Sequence, residues 1–88
     1  MKLLISILRD SDWEIVSRNL IKDGFRVTRI SSTGGFLRRG MSTMMSGVED
    51  SNIDQAIEII RANLSQENIS GMRRAVIFVI NVEDFIQL

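Results

Sequence analysis

The chain has 88 residues, eleven basic and eleven acidic side chains, and neither Cys nor His. Zero net charge removes any bulk attraction to polymeric nucleic acid or an anionic membrane. The missing Cys and His remove a disulfide framework, a thiolate metal site and the commonest general base. A single domain spanning 1–88 is expected, and at this size only roughly 60% of the unfolded surface is buried on folding. The apolar fraction is nonetheless 44%, so a partner subunit is expected to cover the excess.

The run from Leu3 to Leu8 is too short to cross a membrane, and no small-residue cleavage site follows it. A cytoplasmic protein without a targeting segment is expected. Lys2–Leu8 reads as a strand buried on both faces. Ser11 followed by Glu14 forms a capping-box pattern that opens a helix over about 12–23. Trp13, Val16 and Leu20 recur at helical spacing, and Gly24 supplies a left-handed residue to end the helix.

Phe25–Ser32 alternates as a half-buried strand, with Phe25 and Val27 on one face and Arg26, Thr28 and Ile30 on the other. Thr33–Gly40 reads as a loop. Met41–Val48 reads as the next strand, with Gly47 marking a bulge or a close approach. Ser51 and Asp54 mark a second helix cap, followed by the apolar stripe Ile53, Ile57, Ile60 and Leu64. Ser65–Arg73 is a polar connection, Arg74–Asn81 a strand apolar on both faces, and Val82–Leu88 a tail with Phe85 and Leu88 as anchors.

The order β-α-β-β-α-β predicts an α+β, ferredoxin-like fold: a four-stranded antiparallel sheet with two helices on one face. The last strand then lies at a sheet edge. An apolar edge and an uncovered sheet face both call for an oligomer.

All eleven acids lie outside Phe25–Val48, which carries four arginines, Arg26, Arg29, Arg38 and Arg39. A neutral chain with one cationic stretch points to a local anion site. Gly34-Gly35 permits a nest of backbone N–H groups, and Arg26 and Thr28 share a face on the preceding strand. Phe36 offers a plane on which a base can stack. On pattern alone, a Gly-Gly pair joining two strands is usually just a turn, and Phe36-Leu37 can serve as an interface plug.

ISSTGGFLRRGMSTMMSGVED closely resembles the Thr-Gly-Gly-Phe-Leu-Arg loop and following strand of the PII-like cyclic di-AMP receptor family. KLLISILRDSD, the Gly24-Phe25-Arg26-Val27-Thr28 stretch and VIFVINVEDFIQL are similar to it as well. The resemblance covers residues 1–64 without gaps, and then 75–88.

It implies a homotrimer with a site for cyclic di-AMP, or a related adenine nucleotide, in each cleft between subunits. It implies ligand contacts at Arg26, Thr28, Gly35, Phe36, Leu37, Gly47, Phe78 and Gln87, no cofactor besides that ligand, and a downstream protein that receives the signal. The alternative is a trimeric interaction protein whose ligand is lost or changed. Members often carry Asn at the positions of Gly24 and Met41. They also have a long loop before the last strand, shortened here to about 65–73. Arg73 and Arg74 at that junction are either solvated or replacement phosphate contacts.

Catalysis is not expected. The pairs Asp10/Asp12 and Glu49/Asp50 sit at helix starts, where carboxylates favour the macrodipole, and Glu83/Asp84 has no converging partner in the pattern. Met41, Met44 and Met45 suit packing better than copper ligation. Base stacking on RNA needs aromatics on the central strands, and none is there. There is no Tyr, so the tyrosine uridylylation of the wider PII proteins is excluded.

Overall fold

The computed structural model describes residues 1–30, 40–65 and 75–88. Its elements are β1 (Lys2–Arg9), α1 (Asp10–Lys22), β2 (Thr28–Ile30), β3 (Met41–Val48), α2 (Ile53–Ala62) and β4 (Ala75–Asn81). They form a four-stranded sheet in the order β2-β3-β1-β4, and each neighbouring pair is antiparallel. This is the ferredoxin-like arrangement, with the last strand at an edge as the element order predicts.

Period-two alternation decides what each strand residue touches. Leu4 pairs with Ser46 and Val79, and Leu8 with Ser42 and Ala75. These residues face the helices, where Leu4, Leu8, Met44 and Val48 form one core with Val16 and Leu20 of α1 and Ala56 and Ile60 of α2. Val16 and Leu20, like Ala56 and Ile60, are four apart, so each helix sets one stripe on the sheet. Phe25 and Val27 pack on the margin of this core, on the face the alternation predicts for them.

The odd-numbered residues of β1 turn the other way, and among the described residues no helix covers this face. Ile5 stands between Met45 and Phe78 there. Phe78 is 51% exposed, and Val76 and Ile80 are exposed beside it. The expectation that β1 is buried on both faces is therefore corrected: one face is buried and the other half-buried.

Both predicted caps differ from the structure. The first helix begins at Asp10 with Arg9 as its cap residue, and no side chain makes a cap hydrogen bond. The strand runs straight into the helix because Asp10 N–H donates to Gly40 O at 2.8 Å. Ser11 and Glu14 therefore lie inside the helix, where Glu14 accepts from Arg18 at 2.8 Å instead. Asp10 and Asp12 occupy the first turn, as the macrodipole favours. At the second helix a short 3-10 turn, Asp50–Asn52, precedes Ile53, so Ser51 is part of the turn and caps nothing.

The second strand starts later than the alternation predicts, at Thr28 and not Phe25, and the predicted end at Ser32 lies outside the described residues. Phe25 N–H returns to Leu20 O at 3.0 Å, and Arg26 O accepts from Ser46 Oγ. The chain before Thr28 is thus held by a turn and a side chain, outside the ladder. Gly47 makes no bulge: it pairs with Leu3 between the pairs Lys2–Val48 and Leu4–Ser46. The expected anchor Leu88 is fully exposed.

Two polar clusters tie the layers together. Asp12 is 3% exposed; its Oδ1 accepts Ser65 N–H at 3.1 Å, joining the end of α2 to the start of α1. At the far end of the sheet Arg29 donates to Ser42 Oγ at 2.9 Å and lies 3.7 Å from Asp10. Its guanidinium sits 5.0 Å above the Trp13 ring, and Ser42 in turn donates to Asp10.

Replacing Leu8, which is wholly buried, by Ala should destabilise the protein by about 2–5 kcal/mol in urea unfolding. Ile86→Ala on the exposed tail should change stability by less than about 0.5 kcal/mol. Equal effects would contradict this core.

Candidate functional site

The end of α1 builds one wall of a groove. Gly24, at φ +91°, takes a backbone conformation that a side chain would strain. The reversal at Gly24 buries part of Phe25 and leaves Arg26 exposed beside Thr28. The opposite wall is the tail. Val82 N–H donates to Met1 O at 3.2 Å, extending the β1–β4 pairing by one bond. Beyond it the chain reaches across the sheet end, so that Phe85 and Gln87 line the same groove as Arg26 and Thr28.

The groove encloses about 560 Å³, within the range of roughly 300–1,000 Å³ common for small-molecule sites. Its floor is the open face of the sheet at Leu3, Met45 and Gly47, and its far rim is formed by Glu49, Asn52 and Gln55. Gly47 keeps this floor low. A Cβ there would meet the Met1 side chain at 3.8 Å, an ordinary contact, so space and not backbone strain is what the residue provides.

Among the described residues Arg26 is the one basic side chain lining the groove, and Asp23 and Glu49 are the acidic ones. Gln55 Nε2 donates to Asp23 Oδ2 at 3.2 Å. A carboxylate only accepts, so this bond orients the amide and leaves Gln55 Oε1 as an acceptor. Below the rim, the Met1 ammonium lies 3.1 Å from Asp50 and Lys2 lies 3.8 Å from it. Hydrogen bonding to the ammonium, together with both positive charges, holds the Asp50 carboxyl below its usual range. No group of three Asp or Glu side chains suited to a metal ion occurs among the described residues.

Of the eight expected ligand residues, the structure gathers Arg26, Thr28, Gly47 and Gln87 into this groove. Phe78 lies outside it, on β4 at the other edge of the same open face. Gly35, Phe36 and Leu37 lie outside the described residues, as do Arg38, Arg39, Arg73 and Arg74. The sequence pattern gave no sign of Asn52, Gln55 or Phe85 as groove residues. Each reaches it through a turn or tail whose path no periodicity records. Arg29, counted in the cationic stretch, faces the helices and is tied to Asp10 and Trp13.

A solved structure of a functionally unknown protein from Pediococcus pentosaceus ATCC 25745 matches with a TM-score of 0.81 at 30% sequence identity. The match covers 99% of this chain and 96% of that one. The cyclic-di-AMP receptor family model matches residues 1–74, which takes in β1 through α2 and stops short of β4 and the tail. That span includes Arg26, Thr28 and Gly47 of the groove, and the chain belongs to the cyclic-di-AMP receptor family.

Proposed function

We propose that the chain is a signalling receptor for cyclic di-AMP or a related adenine nucleotide, bound in the groove between the start of β2, the end of β3 and the tail. The convergence of Arg26, Thr28, Gly47 and Gln87 from separate parts of a chain of this family supports it. In this reading Arg26 grips a phosphate with paired hydrogen bonds, the Thr28 hydroxyl adds another, and the Gln87 amide meets a base or ribose. Gly35, Phe36 and Leu37 add backbone donors and an aromatic plane from the segment between β2 and β3. The protein acts as a binding module in the cytoplasm and passes its signal to another protein. Neither catalysis nor contact with a nucleic-acid polymer or membrane is part of this function.

The working unit is a homotrimer. Ile5, Met45, Val76, Phe78 and Ile80 on the open sheet face supply the apolar surface that neighbouring copies cover. In such an assembly Phe78 reaches the ligand from the edge of a neighbouring subunit, which accounts for its distance from the groove of its own chain. One observation favours a second reading, a trimeric interaction protein with a lost or altered ligand: Asp23 and Glu49 share the groove with Arg26 and oppose an anion.

Thermal unfolding with cyclic di-AMP, ATP and cyclic di-GMP separates the two. Cyclic di-AMP at a hundred times its Kd should stabilise the protein by about 2.7 kcal/mol. No shift with any of the three would leave the interaction protein. For the receptor, Arg26→Ala should lower affinity by about 1.5–3 kcal/mol and Phe36→Ala by about 1–3 kcal/mol in titration calorimetry. Light scattering should give the mass of three chains, and Ile5→Lys should shift it to that of one. A wild-type monomer would contradict the trimer.

A further inference from the structure

The chain has four phenylalanines, and their surroundings differ. Phe25 packs against the core, Phe78 stands on the open face of β4, and Phe36 lies outside the described residues. Phe85 lines the groove and is 65% exposed. Read as a pattern, it is an anchor for the tail, yet an anchored ring would be buried. Phe85 and Gln87 face the groove, whereas Ile86 between them does not line it and is more exposed still. That alternation is what an extended chain produces, so the tail presents one ring and one amide to the groove as a pair.

An exposed ring on a groove wall, with a guanidinium among the lining residues, the oriented Gln55 amide on the rim and the Gln87 amide beside the ring, has the parts needed to hold a nucleotide base. Stacking removes water from a ring face and a base face at once and tolerates any base. The amides of Gln55 and Gln87 offer both donors and acceptors for its edge.

We propose that Phe85 is the stacking platform for a purine base in the groove, so that the tail is part of the binding site. This rests on the groove being a nucleotide site. It also gives residues 82–88, which lie outside the span matched by the family model, a direct part in affinity. A cyclic dinucleotide presents two bases, so a platform on the tail does not compete with a second ring elsewhere.

The test is titration calorimetry of the full chain with cyclic di-AMP, with the mass of each variant read by light scattering. Phe85→Leu keeps an apolar side chain and removes the plane; Phe85→Trp keeps the plane; Ile86→Ala alters the neighbouring tail residue outside the groove. Phe85→Leu should weaken binding about 5- to 150-fold, the equivalent of one lost base stack, with its mass unchanged. Phe85→Trp should bind at least as tightly as wild type, and Ile86→Ala within about twofold of it. Wild-type affinity in Phe85→Leu would overturn the proposal. So would a Phe85→Trp variant as weak as Phe85→Leu, or a change of mass in Phe85→Leu that marks the ring as an interface plug. If wild type binds no nucleotide, the receptor function itself falls, and the platform with it.

Discussion

The register of β1 against its two neighbours is the constraint on which the rest depends. β1 lies inside the sheet, paired along its length with β3 on one side and with β4 on the other. Its even-numbered side chains meet both helices, and its odd-numbered ones form the centre of the open face. A slip of one residue would exchange the two sets. It would turn Leu4 and Leu8 out of the core, bring Arg9 in and remove Leu3 from the groove floor. Core and groove therefore share one origin: a single alternation in a central strand, read from its two sides.

The same alternation separates two arginines that lie close together in sequence. Arg26 and Arg29 belong to one extended stretch but face opposite ways. Arg26 points to the groove, whereas Arg29 reaches under the sheet to Asp10, Ser42 and the Trp13 ring. One cation is left for a ligand while the other fastens a short edge strand to the helix layer. Among the described residues β2 has three paired positions, Thr28 to Ile30, and the Arg29 side chain adds a tie to the helix layer from the middle one.

Much of the fold was legible because it follows from periodicity. Val16 and Leu20 in α1, and Ile53, Ile60 and Leu64 in and just after α2, repeat at helical spacing and meet the core, and the βαββαβ order leaves few ways to assemble the elements. The continuous apolar run of β1 did not show which of its faces is buried, and Ala56 fell outside the predicted stripe while Ile57, inside it, is not part of the core. The helix starts were misread for a physical reason. Ser11 matches a capping box, but a backbone bond from Asp10 to Gly40 uses the position a cap residue would take, and that partner is thirty residues away. The groove was legible where strand faces or the family resemblance recorded it, at Arg26, Thr28, Gly47 and Gln87. It was not legible at Asn52, Gln55 and Phe85, because turns and tails are set by tertiary contacts that leave no repeat in the chain.

The stacked Arg29–Trp13 pair has an optical consequence. The chain has one tryptophan and no tyrosine, so essentially all of its near-ultraviolet emission comes from the single indole beneath that guanidinium. A charge at this distance from the ring shifts and quenches its fluorescence. The colour and intensity of one side chain therefore report whether the edge strand is docked, with no label attached.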